Sequence, residues 1–220
     1  MLSIAEKIEY INRRLPETTQ LLAISKFHPA SLIQEAYDAG QRLFGESREQ
    51  ELAQKQAELP KDIEWHFIGH LQTNKVKYIA PYVAMIHSVD SLRLLEEIDK
   101  QAKKCERTID CLLELHVAQE ESKFGFSFDE VRRLYEEKWL EKYPNVRVRG
   151  LMGMASNTED DLQVRREFAS IAAFFDEIKQ KYDASVDTLS MGMTNDWKIA
   201  VEEGSTMVRI GSFIFGERVY

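Results

Sequence analysis

Two cysteines, Cys105 and Cys111, are too few to staple a chain of 220 residues, and neither lies in a Cys-x-x-Cys pair or at metal-ligand spacing from a histidine. That usage excludes a disulfide scaffold and fits a reducing compartment. Glycine (10) and proline (5) are scarce, which rules out collagen-like and low-complexity chains. Basic residues are the minority: 29 Lys and Arg against 37 Asp and Glu leave a net charge of −8, which argues against a nucleic-acid-binding surface. No apolar run approaches the roughly 18 residues of a membrane span, and Glu6 and Lys7 interrupt the N-terminus before a signal-length run can build. The expectation is a cytoplasmic protein that contacts neither membrane nor nucleic acid.

The 44% of hydrophobic and 30% of charged residues belong to an ordinary globular chain. At this length folding removes roughly 70% of the exposable surface, enough for one large core. With no low-complexity linker in view, residues 1–220 read as one domain.

Two hydrophobic periods alternate along it. Ser3 and Glu6 form a capping box ahead of Ile4, Ile8, Ile11 and Leu15, so an amphipathic helix opens the chain and stops at Pro16. Leu21-Leu22-Ala23-Ile24 is a short unalternated apolar run, as expected of a strand buried on both faces. Pro29 then starts a helical pattern that Gly40 closes. The same grammar predicts further strands at 42–45, 65–69, 84–88, 110–117, 146–152, 186–190 and 207–210. Helices are predicted near 47–58, 73–80, 90–104, 127–137, 159–181 and 196–203. Eight strands alternating with helices imply parallel βαβ units and a closed α/β barrel of the (β/α)8 TIM type with an extra N-terminal helix; an open doubly wound sheet is the competitor.

In a barrel, chemistry belongs where strands end and loops begin. Lys26 directly follows the most apolar strand, where partial desolvation would make an amine nucleophilic, as a Schiff-base lysine requires; the alternative is a solvated lysine closing the strand. The loops after the seventh and eighth strands carry hydroxyls and glycines, Ser190-Met191-Gly192-Met193-Thr194-Asn195-Asp196 and Gly211-Ser212, and so suit a phosphate; Asn195 or Asp196 equally suits a helix cap. Arg209 sits inside the eighth strand and needs a partner there, either a ligand heteroatom or a salt bridge to Glu46 or Glu114. His66 and His70 straddle a strand end without a motif that would complete a metal site. His87 and His116, assigned to strands, read as core histidines.

Leu22-Ala23-Ile24-Ser25-Lys26, Gly40-Gln41-Arg42-Leu43-Phe44-Gly45-Glu46, Trp65-His66-Phe67-Ile68-Gly69-His70-Leu71-Gln72-Thr73-Asn74-Lys75 and Gly204-Ser205-Thr206-Met207-Val208-Arg209-Ile210-Gly211 through Ile214-Phe215-Gly216 occur in register over nearly the whole chain. Together they resemble the pyridoxal phosphate homeostasis proteins. The resemblance implies a fold-type III barrel like the N-terminal domain of alanine racemase, without the C-terminal β-domain. It also implies pyridoxal 5′-phosphate (PLP) held as an internal aldimine on Lys26, with Ser190, Thr194, Gly211 and Ser212 around the phosphate and Arg209 facing the pyridine nitrogen. An arginine there gives up no proton, so the ring would be a poor electron sink. Ser47 stands where the family commonly has asparagine and is the substitute contact; His116 also replaces an asparagine, and Thr194 a serine. The implied function is a cytoplasmic, monomeric PLP carrier that buffers, stores or delivers the cofactor to PLP-dependent apoenzymes without substrate turnover. The alternative is an amino-acid racemase-like PLP enzyme, which the end of the chain at Tyr220, just after the eighth strand, is expected to disfavour.

Overall fold

The structure, a computed structural model, describes residues 2–117 and 124–217; Tyr220 lies outside them. Helix α1 (Ile4–Asn12) begins at the anticipated capping box, with the Ser3 hydroxyl accepting the Glu6 amide and the Glu6 carboxylate accepting the Ser3 amide. The chain then runs β1 (Gln20–Ile24), α2 (Ala30–Asp38), β2 (Leu43–Glu46), α3 (Glu49–Glu58), β3 (Glu64–Phe67), α4 (Val76–Ile79), β4 (Met85–Val89) and α5 (Leu92–Lys104). It continues through β5 (Ile109–Glu114), α6 (Phe128–Glu136), β6 (Val146–Met152), α7 (Asp161–Lys181), β7 (Thr188–Ser190), α8 (Trp197–Glu202), β8 (Met207–Ile210) and α9 (Ser212–Phe215). All eight strands are parallel and close on themselves in the order β1 to β8, so the barrel reading holds and the open sheet is excluded.

Most strand and helix bounds agree with the sequence to within two or three residues. The segment expected to be a helix at 73–80 is a 3-10 turn over Thr73–Lys75 followed by a single α-turn. The strand expected at 110–117 ends at Glu114, and His116 is exposed beyond it rather than in a strand core. Helices α5, α6 and α7 are capped by Ser91, Ser127 and Asp160.

Successive strand side chains point to opposite faces, which divides the interior in two. Leu21, Ala23, Phe44, Trp65, Phe67, Ile86, Leu113, Leu151 and Val208 face outward and form one continuous core with the helices. Inside the barrel lie two smaller apolar clusters, Leu22, Ile24 and Met207 on one side and Met85, Leu112 and Met152 on the other. Gly150 in β6 has φ +152°, and a Cβ there would come within 2.0 Å of the Thr188 carbonyl, so β6 and β7 approach closely only because this residue has no side chain.

Barrel interiors are normally filled with branched apolar residues. Here a polar chain crosses one layer: His66 Nδ1 lies 2.8 Å from His87 Nε2, His87 Nδ1 lies 3.1 Å from Ser190 Oγ, and Arg209 Nη1 donates to that Oγ at 2.9 Å. Arginine can only donate. The arrangement that uses every proton has Ser190 donating to His87 and His87 donating to His66. Both rings are then neutral, in keeping with burial, which pushes the His66 pKa down to about 4 and His87 well below its ordinary value.

In the unfolded chain each ring titrates near pH 6.5, so between about pH 6.5 and 4 the unfolded chain binds protons that the folded one does not. These histidines therefore make the fold less stable as pH falls. Glu46 and Glu114, raised to about 7 by burial, act in the opposite sense but are common to wild type and a His66→Gln variant. Thermal melts of the two proteins should show the wild type's advantage at pH 7 shrinking by about 2–3 kcal/mol at pH 4.5. An advantage that stays constant with pH would show that His66 takes up its proton as readily in the fold as in the unfolded chain.

Candidate functional site

The closing pair β1–β8 determines what meets at the barrel mouth. Its register sets Leu22 beside Arg209 and Ala23 beside Ile210, so the loop after β1 and the loop after β8 are neighbours. The first contains Lys26 and the second Gly211 and Ser212. A cavity of about 990 Å³ opens there, with Lys26, His28, Thr194, Asp196, Arg209, Gly211 and Ser212 in its wall. The turn carrying Lys26 is unusual because Phe27 has φ +67°, a conformation that costs a side-chain-bearing residue about 1–2 kcal/mol.

The loops after β7 and β8 are tied to each other. The Gly211 amide reaches Thr194 Oγ1 at 3.4 Å, and Ser212 Oγ lies 3.3 Å from the same oxygen. Asp196 Oδ1 accepts the Met193 amide at 2.5 Å and closes the β7 loop; burial raises its pKa. A Cβ on Gly211 would sit 3.0 Å from the Ile24 carbonyl and 3.2 Å from Ile24 Cβ, so a side chain there would crowd the end of β1. The single turn of α9 follows immediately, with the Ile214 and Phe215 amides donating to the Gly211 carbonyl. Two hydroxyls and a close-packed glycine thus meet at one edge of the cavity.

Arg209 is in the cavity wall but almost wholly buried. Nη1 donates to the Ser190 carbonyl at 2.8 Å and to Ser190 Oγ, and Nη2 donates to the Gly153 carbonyl at 3.1 Å. Burial lowers its pKa to about 10, with the charges of Asp196 and Glu114 opposing the shift, so it remains a cation at neutral pH. The salt bridge considered from sequence does not form: among the described residues no carboxylate lies within ion-pairing distance of Arg209. Glu46 instead pairs with Lys55 at 2.7 Å on the outer face of β2.

Of the residues singled out from sequence, Lys26, Thr194, Arg209, Gly211 and Ser212 share the cavity wall. Ser190 does not; it is fully buried behind Arg209, where it links the guanidinium to His87. Ser47 lies off the described wall as well, packed so closely on Gly69 that a Cβ on that glycine would meet the Ser47 carbonyl at 2.4 Å. His116 is also outside it. Sequence reasoning missed the loop after β6, whose Met154, Ser156, Asn157 and Thr158 form one side of the cavity. The available signal was position alone, since that loop follows a strand end just as the Lys26 loop does. Glu167 of α7 holds it by accepting the Ser156 amide at 2.6 Å and hydroxyl at 2.8 Å.

Comparison with known proteins gives concordant results. The family described as alanine racemase, N-terminal domain, matches residues 2–219. A pyridoxal phosphate homeostasis protein of Aquifex aeolicus is 43% identical over 202 residues, covering 91% of this chain and 88% of that protein. The structure of PipY from Synechococcus elongatus, solved with PLP bound, superposes with a TM-score of 0.90 at 38% identity, covering 97% of this chain and all of the other. The alanine racemase of Streptomyces lavendulae shares the fold alone, with a TM-score of 0.73 at 16% identity over 97% of this chain and 56% of that one. A chain matched from end to end by relatives this similar belongs to the pyridoxal phosphate homeostasis proteins, within the alanine racemase N-terminal domain family.

Proposed function

We propose that this chain, as a single barrel domain over residues 1–220, binds PLP through Lys26 and the Thr194–Gly211–Ser212 cradle, and buffers, stores or delivers it without turning over a substrate. The observation that carries the reading is that an amine and these hydroxyls with their glycine occupy adjacent strand ends of one cavity, with a fixed cation, Arg209, in the same wall. The residues fit the cofactor: its aldehyde requires a primary amine, its phosphate requires hydroxyls and amides, and Gly211 keeps side-chain atoms out of the space beside Ile24. When bound, PLP supplies an aldehyde that condenses with amines and a ring that can act as an electron sink.

Arg209 is the residue assigned to the ring nitrogen. Its protons are held by a group that keeps its charge, and its guanidinium is fixed from behind by Ser190 and Gly153. A donor of that kind orients a ring without protonating it, which favours holding the cofactor over using it. The name borne by the relatives supports the same reading. The protein is taken to act as a cytoplasmic monomer whose partners are PLP and PLP-dependent apoenzymes. A net charge of −8 speaks against nucleic acid, and among the described residues no helix is long and apolar enough to cross a membrane.

Incubation with PLP followed by borohydride should fix one covalent adduct, located by peptide mass spectrometry on Lys26 and lost in Lys26→Ala; an adduct on another lysine would refute the assignment. Pyridoxal, which lacks the phosphate, should bind at least about tenfold more weakly than PLP, because charge-assisted hydrogen bonds are roughly twice as strong as neutral ones. Thr194→Ala should narrow that gap, and equal affinities in the wild type would remove the cradle from the argument. The loaded protein should activate a PLP-dependent apoenzyme and leave L- and D-alanine unchanged. Sustained racemisation would instead establish the enzyme reading.

A further inference from the structure

Behind the Lys26 turn, on the outer face of the barrel, lies a buried charged cluster for which the function above has no use. Lys55 projects from α3 with its side chain only 6% exposed. An ammonium has three hydrogens to donate, and three acceptors surround it: the Ser25 carbonyl at 2.8 Å, Glu46 Oε1 at 2.7 Å and Glu51 Oε1 at 2.6 Å. Glu51 Oε1 also accepts the Phe27 amide at 2.7 Å, and Glu46 Oε1 accepts the Ser25 hydroxyl at 2.6 Å. The backbone groups on either side of Lys26 are thus both bonded to α3, the Ser25 carbonyl before it and the Phe27 amide after it.

We propose that Lys55 and Glu51 are positioning residues that hold the Ser25–Phe27 turn in its left-handed form and so aim the Lys26 amine into the cavity. Two features separate this from a purely structural role. Helix α3 already has an apolar anchor in the fully buried Leu52, and a buried ion pair is a poor source of stability compared with apolar packing of the same volume. The bonds also converge on a segment whose conformation is unfavourable, around Phe27 at φ +67°, where the Arg48 guanidinium covers the Phe27 ring at 4.7 Å. Released from Lys55 and Glu51, the turn would relax and swing the direction of the Lys26 side chain. Small displacements of a reacting group reduce rates by large factors.

The inference rests on Lys26 being the residue that captures the aldehyde, by condensation of its amine with the carbonyl carbon to form a C=N bond and release one water. Capture is followed as the second-order rate at which added PLP develops a visible absorption band in wild type, Lys55→Met, Glu51→Ala, Leu52→Ala and Lys26→Ala. In parallel, the affinity for pyridoxine 5′-phosphate, which carries an alcohol in place of the aldehyde, and the melting temperature are measured. Lys55→Met and Glu51→Ala are expected to slow capture by about tenfold or more with unchanged pyridoxine phosphate affinity. Leu52→Ala is expected to lower the melting temperature while capturing at the wild-type rate. Unaltered capture in Glu51→Ala, or slowing in Leu52→Ala matched to its loss of stability, would overturn the positioning role. If Lys55→Met does not fold, Glu51→Ala, which keeps the Lys55–Glu46 pair, decides alone. Capture that persists in Lys26→Ala would overturn the reading of Lys26 itself, an outcome distinct from failure of the Lys55 and Glu51 variants.

Discussion

The pairing of β1 with β8 is the constraint on which the rest depends. Every other neighbour in the barrel is joined to the next by a local strand–helix–strand step, but this pair brings the first strand against the last. Its register, Leu22 beside Arg209, sets the height of Lys26 relative to Gly211 and Ser212. A slip of β8 by one residue would turn Arg209 and Met207 out of the barrel into the helical layer while Leu22 stayed inside, because strand side chains alternate faces. The inward apolar cluster of Leu22, Ile24 and Met207 opposes such a slip by requiring three side chains from the two strands to meet on the same face.

The polar chain from Arg209 through Ser190 and His87 to His66 is the second consequence of that alternation. Four residues from four strands point to the barrel axis at compatible heights, and their mutual satisfaction is what makes it tolerable to bury a guanidinium and two imidazoles together. Ser190 therefore supports Arg209 from behind, whereas family resemblance alone suggests a direct phosphate contact. The same division between inner and outer faces puts Glu46 and Lys55 on the far side of β2, where they address the loop after β1 from outside the barrel.

Much of this was legible in the sequence because it is local. The short apolar runs announced strands, Ser3 and Pro29 marked helix starts, and Lys26, Thr194, Gly211 and Ser212 stood at strand ends where a barrel carries its chemistry. What remained hidden required knowledge of register. Nothing near His66 in the chain points to His87, and nothing near His87 points to Ser190. Their contacts exist only once β3, β4 and β7 are placed around an axis. Lys55 was equally opaque: α3 reads Glu49-Gln50-Glu51-Leu52-Ala53-Gln54-Lys55-Gln56-Ala57-Glu58, a polar helix in which a buried lysine has no local signature. The exposed position of His116 was missed because the apolar pattern of β5 continues past the strand's last residue, Glu114, through the buried Leu115.

The late position of β8 in the chain also bears on how the protein is made. A ligand that needs Lys26 and Ser212 together finds no site on a chain still lacking its last strand. During synthesis the amine is exposed long before the residues that would retain a phosphate, and only docking of β8 completes the cavity. Because such a ligand binds the closed barrel and not the open chain, it draws the equilibrium toward closure by mass action. Occupancy of the site is thereby a report that the two ends of the barrel have met.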